Sequence, residues 1–378
     1  MNQFVSKLRG ADEKRVNGLA AMRRRWQSLH WAWRTATVLA FLAFIYALPD
    51  LNEAGVWPIN VISTDYAAEG SAFDDVLVLT AIYVLVAVGL NVVIGLAGLL
   101  DLGYIGFFAV GAYSVAIFGS PTSDVATAYP WLMLIPIAIA LAMVSGVILG
   151  LPTLRLRGDY LAIVTLGFGE IIRIVATNVS VTNGKAGIHE IPRPPGEWPD
   201  GTRIFGILDS RPMYWLCLTM VVICILGVKQ LENSRVGRSW LAVREDEDAA
   251  SLMGVPAFRF KIWAFAIGAA VGGLSGALYA SKEGSMTADS FPLLMSILFV
   301  AMVVMGGQGN TAGVIVGAVT ITYIPERLRF IADERFLVFG LALVLVMIFR
   351  PQGLIPSRRR AAEMADMKAE AKEVNVVV

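Results

Sequence analysis

The chain reads as an all-α integral membrane protein with about ten transmembrane helices, some of them short enough to be re-entrant. Three observations predict this class. Of 378 residues, 56% are hydrophobic and only 16% are charged, whereas a soluble globule carries about 25% charge. Mean hydropathy is +0.65. The apolar residues also come in repeated long runs. A spanning helix needs about 20 mostly apolar residues, and it satisfies its own backbone where no water can.

In chain order the spans are predicted near 35–49, 76–96, 104–119, 131–151, 160–179, 213–228, 260–280, 291–307, 309–324 and 335–349. The third and ninth are the re-entrant candidates. Residues 1–34 hold eight Lys/Arg against Asp12 and Glu13. An apolar run follows, as in a signal peptide. The basic region is long, however, and no convincing small-residue cleavage site follows the run. It reads as an uncleaved first span behind a basic arm. The organisation is then a basic arm over 1–34, a transmembrane domain over 35–356 and a charged tail over 357–378.

Lys/Arg asymmetry sets the orientation. The basic arm belongs in the cytoplasm. The stretch from Asp50 to Asp75 has six acids and no Lys or Arg, which fits the outside. Arg155 and Arg157 fall inside by span counting, as do Arg350 and Arg358 to Arg360. Residues 180–212 and 325–335 carry balanced charge and weaken the pattern, yet the parity closes with both termini cytoplasmic.

Several chemistries are excluded. A net charge of +1, without a basic block interleaved with aromatics, argues against nucleic acid. Cys217 and Cys224 lie seven apart in one apolar run, about 10 Å on a helix, too far for a disulfide. His30 and His189 are the only histidines, so a His-based metal site is not expected. The chain lacks GxxxxGK[ST], so it should not bind ATP through a P-loop, and GxSxG and HExxH are missing too. No catalytic residue, metal or cofactor is expected in this chain.

The small and polar residues of the spans are the informative ones. Gly268, Gly272 and Gly276 recur every four residues, as do Gly309, Gly313 and Gly317. Small residues on one face let helices approach closely in lipid, so helix packing is the plain reading and gating the alternative. Polar groups inside spans are costly and mark pathways. Asn91, Asp101, Thr165, Glu170, Gln308 and Asn310 are the pathway candidates. Glu170 could pair with Arg173 three residues on, as a structural ion pair. Asp101 could equally cap the helix after it. The fragments "GLAGLLDLGYIGFFAVGAY" and "GGQGNTAGVIVGAV" hint at a weak internal repeat.

One stretch breaks the apolar pattern. "VREDEDAASLMGV" places four acids at Glu245 to Asp248. Acids suit a helix N-terminus, while Gly254 and then Pro256 suit its end. Ala249, Leu252, Met253 and Pro256 have the spacing of one apolar face. This predicts a short amphipathic helix at the cytoplasmic mouth, suited to docking a protein, with a solvated connector as the alternative.

The motifs "GLNVVIGLAGLLDLGYIGFFAVGAY", "LRGDYLAIVTLGFGEIIRI", "TNGKAGI", "GRSWLAVREDEDAASLMGV", "GGLSGALYA", "GGQGNTAGVIVGA" and "FRPQGLIP" resemble the permeases of branched-chain amino-acid ABC importers, of the LivM type. They follow in order from about residue 76 to 356. The resemblance implies an importer permease fold moving leucine, isoleucine and valine across the inner membrane. It implies a sister permease of the LivH type, two cytoplasmic ATPases of the LivG and LivF types that bind ATP and Mg, and a periplasmic binding protein. It makes about 244–254 the coupling helix, with Arg244, Glu245, Asp246, Glu247, Ala249, Ala250 and Gly254 as its residues toward the ATPase. Lys185 and Ala186 depart from the commoner loop residues. The spans leave open a related permease for urea, amides or other small amino acids. A stand-alone secondary transporter or channel would need coupling carboxylates and no such helix.

Overall fold

A computed structural model describes residues 31–53, 73–125, 129–154, 156, 158–197, 203–206, 209–327, 340–341, 344, 348 and 353–355. The basic arm up to residue 30, Arg155, Arg157, most of the tenth predicted span and the tail after 357 lie outside these residues. The chain divides into two compact units, 1–61 and 62–378. The first unit holds α1 (Trp31–Tyr46) and α2 (Leu48–Glu53).

The second unit is helical throughout its described regular elements. It contains α3 (Phe73–Asn91), α4 (Tyr104–Gly119), α5 (Trp131–Thr153), α6 (Asp159–Asn178), α7 (Arg211–Glu232) and α8 (Arg235–Glu245). Then come α9 (Glu247–Leu252), α10 (Ala257–Glu283), α11 (Leu293–Gly306) and α12 (Thr311–Arg327). A π turn over Val92–Leu96 extends α3. Among the described residues, six helical stretches are long and apolar enough to cross a membrane: Phe73–Leu96, Trp131–Thr153, Asp159–Asn178, Arg211–Glu232, Ala257–Glu283 and Ala288–Gly306. Three more apolar helices, Thr35–Tyr46, Tyr104–Gly119 and Thr311–Glu326, are shorter. The first, third and ninth expected spans are therefore short in the fold.

The centre is built by α3 and α10. About 78% of the α3 window and 67% of the α10 window is buried, against 33% for α5 and 28% for α6. A helix that is apolar all round belongs inside, and α3 is such a helix. The reason for α10 is different: it is lined with small residues. It packs on α4, α5 and α3, and the glycines set the distance. A methyl group at Gly276 would collide with the carbonyl of Phe108, one at Gly273 with Ala142, and one at Gly268 with Val93. Close backbone approach replaces the hydrophobic effect as the glue between helices in lipid. The expected Gly268/Gly272/Gly276 stripe is thus a contact face, to which the fold adds Gly273 on α10 and Gly111 on α4.

The second glycine series differs from its expectation at one position. Gly313 and Gly317 lie on α12 and face Gly306 and Met302 of α11. Gly309 does not continue that face. It sits in the turn before α12 with φ of +77°, a conformation that suits glycine because it lacks Cβ.

At the end of the bundle remote from α8 and α9, the segment Thr182–Ile188 is pinned in place. Thr182 Oγ1 donates to the Ala176 carbonyl at 2.6 Å, and Asn183 Nδ2 donates to the Gly187 carbonyl at 2.9 Å. Ile188 and Met286 exchange both backbone hydrogen bonds, at 2.9 and 2.8 Å. The Pro-rich piece after it is less exposed than its composition suggests, because Ile191 and Pro194 are buried.

Candidate functional site

The acidic stretch forms two helices rather than one. The break is at Asp246, which leaves helical geometry at φ −151° and ψ 108° and starts α9. Its carboxylate accepts from the Ala249 amide at 2.9 Å, the N-cap bond that satisfies an otherwise orphaned donor. The far end is equally defined. The Gly254 amide donates to the Ser251 carbonyl and the Val255 amide to the Ala250 carbonyl, both at 3.0 Å, with Gly254 at φ +87°. That pair of bonds is a Schellman motif. Pro256 then leads into α10.

The buried contact also differs from the predicted face. Ala250, Val243 and Ala257 form the small core under the turn. Ala249 and Pro256 are exposed, and Leu252 and Met253 are 89% and 85% exposed. A six-residue helix cannot carry a full i, i+7 face, and its tight return to α10 points the predicted apolar positions outward. Two contacts with α10 help fix the helix pair to the bundle. Trp240 Nε1 donates to the Phe260 carbonyl at 2.7 Å, and the Lys261 ammonium meets Glu247 at 2.6 Å. The α8–α9 pair is therefore anchored at its back and apolar at its front.

The pathway candidates fall into three groups. In the first, the side chain of Asn91, 1% exposed, accepts the Gly309 amide at 2.9 Å. Asn310 accepts the Ala312 amide through Oδ1 at 3.2 Å and donates to the Ile355 carbonyl through Nδ2 at 3.0 Å. The amides of Leu354 and Ile355 donate to the Met305 and Gly306 carbonyls, which are buried acceptors that the end of α11 leaves without a partner in the helix. Gln308 is half-buried in the same turn. Arg244 enters from α8 and donates through Nη1 to the Gly95 carbonyl in the π turn.

The second group surrounds Asp101, in the segment between the π turn and α4. Its Oδ1 accepts the Gly103 amide at 2.8 Å, while Oδ2 is buried with no hydrogen-bond partner among the described residues. Burial pushes this carboxyl up to about 7, against the lowering pull of the Gly103 amide and the Thr165 hydroxyl. Thr165 accepts the Leu102 amide at 3.0 Å, and Ser296 donates to the Leu102 carbonyl at 2.5 Å. One residue's backbone thus ties α6 and α11 to the start of α4. Asp101 and Asn310 act alike here: each side chain accepts the amide two residues on, just where a short apolar helix begins. The two fragments that hinted at a repeat share this local device.

The third group is separate. Arg173 donates to Glu170 through Nε at 3.0 Å and Nη2 at 2.5 Å, and its Nη1 lies 3.8 Å from Asp289. Both side chains of the pair are about one-third exposed. They do not meet the other pathway candidates.

Sequence reading missed the π turn, Ser296 and the inward path of Arg244. No periodicity marks a π turn, since its residues Val92–Leu96 are as apolar as the helix before them. Ser296 is one hydroxyl in an apolar run, and Arg244 reads as one more charge in an acidic stretch.

Apolar helices around two broken, polar segments, with an anchored helix pair at one end, make this a multi-pass membrane permease. Residues 72–349 match the family described as branched-chain amino acid transport system / permease component. The chain is 38% identical to the high-affinity branched-chain amino acid transport system permease protein LivM of Escherichia coli (strain K12), over 87% of this chain and 78% of that one. It is 37% identical to the LivM protein of Salmonella typhimurium over the same shares. It is 27% identical to a probable branched-chain amino acid transport permease LivM of Methanocaldococcus jannaschii, over 59% of this chain and 68% of that one. The chain belongs to the branched-chain amino acid transport permease family. No solved structure matches it.

Proposed function

We propose that the chain is the permease subunit of an ATP-driven importer that carries leucine, isoleucine and valine across a bacterial inner membrane, with both termini in the cytoplasm. The observation that carries this reading is the similarity to the two enterobacterial LivM proteins along 87% of the chain. In this reading the α8–α9 end faces the cytoplasm. The exposed Leu252 and Met253 dock in a groove of an ATPase subunit, and the back of the pair stays fixed through Trp240 and Glu247. ATP and Mg reside on two ATPases of the LivG and LivF types. A LivH-type permease completes the path, and a periplasmic binding protein delivers substrate. Asn91, Asp101, Gln308 and Asn310 lie close to the path, because they sit at helix breaks where polar groups are tolerated only when buried in protein or lining a cavity, and Thr165 of α6 joins them through the Leu102 amide it holds.

The test is reconstitution of the permease with its sister permease, ATPases and binding protein in vesicles. ATP-dependent uptake of labelled leucine, competed by isoleucine and valine and not by urea, is the expected result. Uptake competed by urea and indifferent to valine would overturn the cargo. Charge introduced by Leu252→Glu and Met253→Glu should remove the ATPases from the purified complex while the permease still inserts.

A further inference from the structure

Arg244 is the last basic residue of α8, and it does not point where the neighbouring acids point. Glu245 and Asp246 are exposed. The Arg244 side chain runs inward instead, and its Nη1 bonds the Gly95 carbonyl. That carbonyl lies at the C-terminal end of the long α3–π-turn stretch, where the last acceptors of a helix have no partner in the helix itself. A cation there also meets the negative end of the helix dipole. Arg244 therefore caps α3 from another element.

The route of the side chain is kept clear by two glycines. A Cβ at Gly98 would lie 2.5 Å from Cγ of Arg244, and a Cβ at Gly309 would lie 3.2 Å from its Nη1. Both glycines have positive φ, +73° and +77°. Gly309 is also the residue whose amide is held by Asn91 at 2.9 Å, and Asn91 directly precedes the π turn. One guanidinium thus bonds the π turn after α3 and lies beside the turn before α12. A π turn is a single-residue slip in the helical ladder and is a frequent functional device.

We propose that Arg244 is the transmission residue of this permease. It is a positioning residue that carries displacement of the α8–α9 pair into the π turn at Val92–Leu96 and the facing turn at Gly307–Asn310. The inference rests on the reading of the chain as an ATP-driven importer. It removes Arg244 from the set of residues that touch the ATPase.

The test uses the full importer in vesicles, with uptake and ATP hydrolysis measured on the same preparation. Arg244→Ala should keep the ATPases bound and keep their stimulation by the binding protein, while uptake per ATP falls about tenfold. Arg244→Lys keeps the charge and loses the forked donor, so it should recover part of the uptake. Uptake and ATP hydrolysis falling together would make Arg244 a docking residue and overturn the proposal, and so would unchanged uptake in Arg244→Ala. If the alanine variant fails to assemble, Arg244→Lys decides on the same ratio. Amide exchange over residues 91–99 gives a second readout. It should change on adding a non-hydrolysable ATP analogue to the wild-type complex and change by less in Arg244→Lys; equal changes in both would also overturn the proposal. A wild-type complex without branched-chain amino acid uptake would sink the functional reading instead, so the two failures are distinguishable.

Discussion

The ammonium of Lys261 stands 2.6 Å from a carboxylate oxygen of Glu247, and the lysine side chain keeps only 7% of its surface. This pair joins the first turns of α10 to the first residue of α9. Removing one partner of a buried ion pair leaves an uncompensated charge, which costs about 3–5 kcal/mol when both groups are fully buried. Glu247 keeps 28% of its surface, so Glu247→Gln should cost less, about 1–3 kcal/mol. A thermal melt of the purified complex should show the loss. Glu247→Leu with Lys261→Met should recover most of it, because a buried pair exchanged for apolar residues is often neutral. A double variant as unstable as the singles would contradict this.

Gly254→Pro should stop transport without stopping insertion. Proline holds φ near −65°, and Gly254 stands at +87° while its amide donates to Ser251. Both the conformation and the donor are lost, so α9 should lose its end. Gly254→Ala is milder, because its Cβ would meet open space and only the left-handed backbone costs about 1–2 kcal/mol. Membrane fractionation and vesicle uptake of the two variants check the order: alanine reduced, proline inactive, both inserted.

Two glycines of similar appearance should behave in opposite ways. Gly276 faces the Phe108 carbonyl, and Gly227 of α7 has nothing near a Cβ. Gly276→Val should lower the yield of folded permease sharply, since overpacking of a close contact costs about 1–3 kcal/mol or more. Gly227→Ala should leave yield unchanged or raise stability by up to about 1 kcal/mol, since glycine is a poor interior helix residue. Fluorescence-detected size exclusion of tagged variants reads both.

Asp101 gives a signed pH dependence. Its carboxyl holds a proton up to about 7 in the fold, against 3.8 as its ordinary value. The folded state therefore binds more protons than the unfolded state between those values, and stability falls as the pH rises from 3.8 through about 7. The melting midpoint of the complex should drop between pH 5.5 and pH 8 by more in wild type than in Asp101→Asn. Asparagine keeps the acceptor for Gly103 and cannot ionise. Parallel pH profiles for the two proteins would contradict the burial argument.

The sequence carries the span positions well, because a membrane leaves few alternatives to long apolar helices. Phe73–Leu96 and Ala257–Glu283 were legible from hydropathy, and the α10 glycines from their spacing. Their partners were not legible. Spacing defines a face, while Gly111, Ala142 and Phe108 opposite it belong to other helices. The ends of the acidic stretch were legible too, since Gly254 and Pro256 are local signals. The break at Asp246 was not, because an N-cap in the middle of four acids looks like one more acid. Gly309 was misread for a related reason: a four-residue repeat of glycine counts helix turns even where the chain has left the helix. Glu170 and Arg173 were readable as a pair from a three-residue spacing. That Arg244 turns inward depends on Gly98 and Gly309, more than 60 residues away on either side, and no local pattern contains that.

The central position of α10 bears on how the chain is made. Its mean hydropathy is 1.6, against 2.7 for the peripheral α5, so the most enclosed span after α3 is among the least greasy. Entry into lipid on its own merits favours α5 far more than α10. The helices that receive α10, namely α3, α4 and α5, all precede it in the chain. During synthesis the cleft is already present when α10 emerges, and its glycine-rich surface can leave the insertion machinery directly into protein. Moving α10 ahead of α3 in a permuted gene would present the same helix to bare lipid, and it would be left at the membrane surface.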